Sequence, residues 1–156
     1  MPFSHWIVAA AVAAVVLFVP VSLARAAEGD KRPAGAGESR RHPEIVGHRG
    51  ESYDAPENTM ASFNLAWERN DDVVETDVHL TKDKKLIISH DYDTFRVTGG
   101  PRHGGIKKVI VDTPADELRK LDVGKWKSPA YAGQKMPFLD ELLATIPDKP
   151  GKRVFI

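Results

Sequence analysis

A gap of only five residues, Thr81 and then Lys82-Asp83-Lys84-Lys85, separates two strand-like runs in the middle of this chain. The first, Val73 to Leu80, is rich in β-branched residues. The second, Leu86 to Ser89, is short and apolar. Parallel neighbours need a crossover of a dozen residues or more, so the pair is predicted to form an antiparallel hairpin. A symmetric turn centred between Asp83 and Lys84 then sets Asp77 opposite His90 and Glu75 opposite Tyr92. Directly opposed side chains have Cβ atoms about 4.5–5.5 Å apart. Within the first strand Glu75 and Asp77 share a face, about 6.6–6.8 Å apart. Two carboxylates so placed repel unless a cation compensates, and Ca²⁺ or Mg²⁺ suits such oxygen ligands. There is no Cys, so any metal has to sit on carboxylates or imidazoles. Two acids and a histidine at one strand end make a candidate metal and acid–base site. The plainer alternative is one salt-bridged acid, one solvated acid, and a His90 bonded only to Asp91.

Upstream, Ile45-Val46-Gly47 reads as a short strand ending at His48-Arg49-Gly50. An Arg there offers a planar fork for phosphate, and the His can move a proton near neutral pH. Gly50 lets the backbone turn sharply. The tripeptide alone equally suits a capping loop. Thr59 to about Asn70 is predicted helical, with Asn58 or Thr59 as the cap and Asn70 as the stop. Thr94 to Gly105 is a Gly-rich loop. Asp112-Thr113-Pro114 opens a helix to about Leu121, with Pro inside its first turn. Pro137 to Ile146 reads as another helix, and Val154-Phe155-Ile156 as the beginning of a strand. Trp67 and Trp126 read as core residues, and Glu57 as a residue that orders the loop before the first helix. His79 shares a face with Asp77 but is given no ligand role.

The combination is more specific than its parts. His48-Arg49-Gly50, Pro56-Glu57-Asn58-Thr59, Glu75-Thr76-Asp77, Thr81-Lys82-Asp83 and His90-Asp91 occur in this order. The stretches Leu121 to Trp126 and Tyr131 to Pro137 add to them. Order and spacing resemble the glycerophosphodiester phosphodiesterase family from about Glu44 to Ile156. The resemblance implies an α/β fold, the N-terminal part of a TIM-type (β/α)8 barrel with an irregular early hairpin. It implies metal-dependent hydrolysis of glycerophosphodiesters to an alcohol and sn-glycerol 3-phosphate. By the same resemblance His48 is similar to the general base, His90 to the general acid and Arg49 to the phosphate ligand. Glu75 and Asp77 are similar to two ligands of one divalent cation, Ca²⁺ or Mg²⁺. Lys84 stands where the family often has Gly, and Glu51 to Asp54 is more acidic than usual, which changes the expected pocket mouth.

In the family a strand like Val154-Phe155-Ile156 continues directly into a Glu-x-Lys motif, whose Glu is a third metal ligand and whose Lys binds or polarises the phosphate. Residues 43–156 are therefore expected to supply about half of a barrel and to be inactive alone. Two other readings stay open. One is a related hydrolase acting on lysophospholipid or sphingomyelin, and the other is a non-catalytic remnant.

Equal numbers of basic and acidic residues, 22 each, give no support to nucleic acid as a partner. The expected partner is a small phosphodiester. Ile7 to Val19 is an unbroken apolar run, short for a membrane span, followed by Ala24-Arg25-Ala26, which suits signal-peptidase cleavage. No Lys or Arg precedes the run. The expected organisation is a signal peptide over residues 1–27, a flexible Gly/Pro/charge-rich tether over 28–42 and the barrel portion over 43–156. Cleavage means export to the periplasm or medium without stable membrane insertion, whereas an uncleaved segment would anchor the chain. N-terminal sequencing of exported protein should find a start near Ala27. An intact Met1 on membrane-held protein would establish the anchor instead.

Overall fold

In the computed structural model, which describes residues 43–156, the run from Val73 to Leu80 is not one strand. Its first part, β2 (Val73–Glu75), lies between β1 (Val46–His48) and β5 (Arg153–Phe155) in a parallel sheet. Its second part, β3 (Val78–Leu80), pairs antiparallel with β4 (Leu86–Ile88). The break falls at Thr76-Asp77. Thr76 still donates its N–H to Phe155 O at 3.0 Å, but its hydroxyl is buried and donates to Asn58 Oδ1 at 2.9 Å. That side-chain bond fixes the point at which the chain leaves one sheet for the other.

The hairpin exists, but its register differs from the expected one. The pairs are Val78 with Ile88, His79 with Ile87 and Leu80 with Leu86. The turn is centred on Asp83 rather than between Asp83 and Lys84, because Thr81 N–H bonds to Lys85 O at 2.9 Å and Lys84 takes a left-handed φ of 64°, leaving a three-residue loop. A turn followed by one left-handed residue is the common three-residue hairpin connection. The slip of one residue sets Asp77 beside Ser89, whose N–H bonds to Asp77 O at 3.0 Å. His90 is therefore not the cross-strand neighbour of Asp77. Glu75, in the other sheet, does not face Tyr92.

Alternate faces of β4 enter two cores, as strand alternation requires. Ile88 packs with Phe63 and Ala66 of α1 (Met60–Glu68), Val74 of β2 and Leu142 of α3 (Leu139–Leu143). Ile87 packs with Val97, Ile110, Leu121, Val123, Met136 and Leu118 of α2 (Ala115–Leu118). The first cluster joins the parallel sheet to the hairpin. The second supports the loops that follow β4.

Helix ends follow from local chemistry. Thr59 caps α1 in a box with Ser62, and Asn70, at φ 67°, stops the helical path. Pro114 precedes α2 rather than lying inside it, and α2 is a single turn where a helix to Leu121 was expected. Asp83 from the hairpin loop accepts from Ala115 N–H at 2.9 Å and so pins α2 to the turn. Trp67 and Trp126 are half-buried rather than fully enclosed, with indole N–H bonds to Thr145 Oγ1 and Val123 O. Among the described residues no helix is long and apolar enough to cross a membrane. The apolar N-terminal run and the tether lie outside the described residues.

A left-handed conformation costs a non-glycine residue about 1–2 kcal/mol. Lys84→Gly should therefore raise unfolding stability by about 1 kcal/mol. The check is the denaturant midpoint at unchanged slope, and an unchanged midpoint would show that the turn carries no strain.

Candidate active site

Parallel register places His48 beside Glu75 and Glu75 beside Phe155, so three strands end together. Beyond β1 the backbone turns through two left-handed residues, Arg49 (φ 57°) and Gly50 (φ 73°). A Cβ at Gly50 would lie 2.6 Å from Ser62 backbone, so only glycine fits against α1. Arg49 is held in its uncommon conformation from three sides. Its N–H donates to Glu75 Oε2 at 2.9 Å, and its carbonyl accepts from Asn58 N–H at 3.0 Å and Ser62 Oγ at 3.1 Å. His48 Nε2 lies 3.9 Å from the same Glu75 oxygen. Asp77 Oδ2 accepts from Asn58 Nδ2 at 3.0 Å and lies 3.5 Å from Arg49 Nε. That Nε is buried without a hydrogen-bond partner. His48, Arg49, Glu75 and Asp77 are thus gathered at the strand ends, with Asn58 as an added strut.

His90 joins this group by another route. Its Nδ1 lies 2.7 Å from Asp91 Oδ1, and Asp91 Oδ2 accepts from Arg96 Nε at 2.7 Å. Arg96 Nη1 and Nη2 donate to the two oxygens of Glu57 at 2.7 and 2.9 Å. Glu57 Oε1 also accepts from Arg49 Nη1 at 3.1 Å. An unbroken ladder, Arg49–Glu57–Arg96–Asp91–His90, therefore connects the two sides. His90, Glu57 and Asn58 also line one small gap of about 10 Å³. His79 Nε2 meets only His90 O, at 3.2 Å, and takes no part in the ladder.

Burial alone would raise the Glu57 carboxyl, but hydrogen bonds and charge from Arg96 and Arg49 outweigh it and hold it below its ordinary 4.5. The Arg96 hydrogen bond, against the effect of burial, holds Asp91 below its ordinary 3.8. Both acids are ionised at neutral pH. Glu57 does order its loop, as expected, and it does so by bridging two guanidiniums. Glu51 and Asp54, expected to alter the pocket mouth, are both taken up by Arg69 at 2.9 and 2.6 Å.

Two residues of this arrangement escaped the sequence reading. Asn58 was legible only as a helix cap, although Thr59 already supplies that cap. Arg96 is an isolated basic residue in a Gly-rich loop, and its partner Glu57 lies 39 positions away.

Part of the donor set suits a cation. Among the described residues, Glu75 Oε1 and Asp77 Oδ1 have no hydrogen-bond partner, and both side chains are partly exposed. Four carboxylates (Glu57, Glu75, Asp77, Asp91) face two guanidiniums (Arg49, Arg96), a surplus of two negative charges. Two oxygens and that surplus fit part of the shell of a hard divalent ion. No group of three acidic or histidine side chains that could hold a metal occurs among the described residues.

The family model described as "Glycerophosphoryl diester phosphodiesterase family" matches residues 48–156. The chain belongs to this family. It is 40% identical over 105 residues to the glycerophosphodiester phosphodiesterase of Caldanaerobacter subterraneus, covering 67% of this chain and 41% of that protein. Among solved structures it is similar to an Oleispira antarctica phosphodiesterase in complex with the product sn-glycerol-3-phosphate. That match has TM-score 0.59 and 38% identity, over 65% of this chain and 39% of that one. A glycerophosphodiester phosphodiesterase of Agrobacterium tumefaciens matches with TM-score 0.62 and 31% identity, over 72% and 45% of the two chains. The chain spans about two fifths of the length of the curated relatives it matches.

Glu57 contributes stability that is present above its ordinary pKa and is lost as pH falls through its lowered one. At neutral pH, Glu57→Gln should cost roughly 1–3 kcal/mol. Below about pH 4.5 the wild-type chain should lose stability more steeply than the variant. Thermal melts at about pH 7 and about pH 3 check both slopes, and parallel slopes would refute the assignment.

Proposed function

We propose that residues 43–156 form the first part of a (β/α)8 barrel whose strand ends hydrolyse a glycerophosphodiester to an alcohol and sn-glycerol 3-phosphate. The supporting observation is the position of Arg49 at the strand ends. Its Nε is buried without a hydrogen-bond partner, and Nη2 has no partner among the described residues. Its other edge is held by Glu57. The Nε edge lies 3.5 Å from Asp77 Oδ2 without a hydrogen bond, so an anionic group of better geometry can take it, and a phosphate oxygen is the natural occupant. The product-bound relative supports glycerol 3-phosphate as the retained half.

Arg49 binds the phosphate and offsets the charge that grows on it as the bond to the leaving oxygen breaks. His48 stands exposed beside Glu75 and takes the proton of the nucleophile, which is water or the glycerol 2-hydroxyl. His90 gives a proton to the leaving alkoxide from Nε2, because Nδ1 is committed to Asp91. Glu75 and Asp77 would hold the divalent ion, Ca²⁺ or Mg²⁺, which supplies Lewis-acid stabilisation of the phosphate when bound. Asn58 donates to Asp77 Oδ2 and so holds that carboxylate in place beside Arg49.

The test joins residues 43–156 to the C-terminal barrel portion of the Caldanaerobacter relative and follows sn-glycerol 3-phosphate release from glycerophosphocholine. Turnover should appear in the fusion, vanish with chelator and return with added Ca²⁺ or Mg²⁺. The 156-residue chain alone should stay at background. In the fusion His48→Ala and His90→Ala should each lower kcat by roughly 10²–10⁴. Glu75→Ala should mainly raise the metal concentration required. Full activity of the His48→Ala fusion, or chelator-resistant turnover, would refute the mechanism.

A further inference from the structure

We infer that Arg96 is a positioning residue that, by gripping Glu57 and Asp91 together, holds the His90 imidazole in one tautomer and couples it to Arg49. The inference rests on the reading of His90 as the proton donor to the leaving alkoxide. Its geometry is independent of that reading.

The two arginines of the ladder are used in opposite ways. Arg96 spends Nε on Asp91 and both terminal nitrogens on Glu57, at 2.7, 2.7 and 2.9 Å. Its fork faces carboxylates only, which leaves Arg49 as the arginine available to phosphate. A planar guanidinium can span two acids at once, whereas an ammonium is a point charge. Both acids press the Arg96 pKa further upward, so the bridge is permanently cationic. Asp91, held ionised, can only accept a hydrogen bond, so Nδ1 of His90 must carry the proton. That leaves Nε2 facing away from the ladder.

The ring has little else to hold it. The His90 side chain is 43% exposed, and Asp91 is the ring's hydrogen-bond partner among the described residues. The bond from His79 goes to the His90 main chain. Asp91 in turn is placed by Arg96, and Arg96 by Glu57. Removing the guanidinium frees Asp91 to rotate and leaves the imidazole without a fixed acceptor. The same removal strips Glu57 of two of its three hydrogen bonds and loosens Arg49.

The experiment uses the full 156-residue chain, ¹⁵N-labelled, at a pH where imidazoles are neutral. Long-range ¹H–¹⁵N correlation reads which ring nitrogen of His90 is protonated. The wild-type chain should show a single form, protonated at Nδ1. Arg96→Gln should show a mixture of both tautomers, with the amide spectrum of α1 and β2 retained. Arg96→Lys keeps the charge and the fold but lacks the fork, and it should show the same mixture. If Arg96→Gln does not fold, the Lys variant decides. A single Nδ1-protonated form in either folded variant would overturn the inference. In the barrel fusion the Lys variant should lose about 10- to 100-fold in kcat with KM little changed. The tautomer is read without turnover, so an inactive fusion would count against the proposed reaction and not against the role of Arg96.

Discussion

The structure depends on one tight turn. After β1 the chain must leave the sheet without running into α1, and it does so through two consecutive left-handed residues, Arg49 and Gly50. Glycine accepts that conformation freely, and nothing larger fits against Ser62. Arg49 accepts it at a cost, offset by the three hydrogen bonds on its backbone. Those bonds come from three places: the end of β2, the Glu57-Asn58 loop and the first turn of α1. The strained residue is therefore the point at which strand, loop and helix are fastened together. Its guanidinium is bonded to Glu57 on one edge and lies 3.5 Å from Asp77 on the other, so the contacts that offset the strain also aim that group.

Much of this was legible in the sequence because it is local. The Thr59 cap, the Asn70 stop and the turn permitted by Gly50 each follow from the chemistry of neighbouring residues. The start of β5 and the gathering of His48, Arg49, Glu75 and Asp77 were also readable. The hairpin was readable because its gap is too short for any other connection. Its register was not, since register depends on whether Lys84 or a turn centred before it reverses the chain. A lysine gives no sign of a left-handed φ. One residue of slip moves every facing pair, so the predicted juxtaposition of Asp77 and His90 failed although the hairpin formed. The break at Thr76 was hidden for a different reason. It is set by a buried bond to Asn58, 18 positions earlier.

His90 nevertheless belongs to the same arrangement, and the route by which it does so matters. Cross-strand pairing would have placed the imidazole by backbone geometry alone. The ladder places it through side chains, from Arg49 through Glu57, Arg96 and Asp91. Such a connection is specific, since each carboxylate is matched to a guanidinium or an imidazole, and it is also breakable. A polar network that is fully satisfied fixes one geometry, and one that loses a member leaves charges without partners. Glu57 is the central member because it alone touches both arginines.

The charge balance of the ladder gives each of its parts a distinct task. Within Glu57–Arg96–Asp91 two carboxylates enclose one guanidinium, so that segment carries net negative charge. Arg49 is also claimed partly by Glu57 and lies near Asp77. In the proposed reaction Arg49 would then meet an anionic phosphodiester against a background of four carboxylates. A site with that balance repels its substrate unless positive charge is supplied beside Glu75 and Asp77. Those two residues keep one oxygen each clear of hydrogen-bond partners among the described residues. Asn58 and the Arg49 backbone N–H occupy the other oxygen of each. Amide donors hold the two carboxylates in place, and the charge of Asp77 is only partly offset by Arg49 Nε at 3.5 Å. Negative charge thus remains on two partly exposed residues beside Arg49, where, in the proposed reaction, a divalent cation would reverse the local sign and make the site receptive to phosphate.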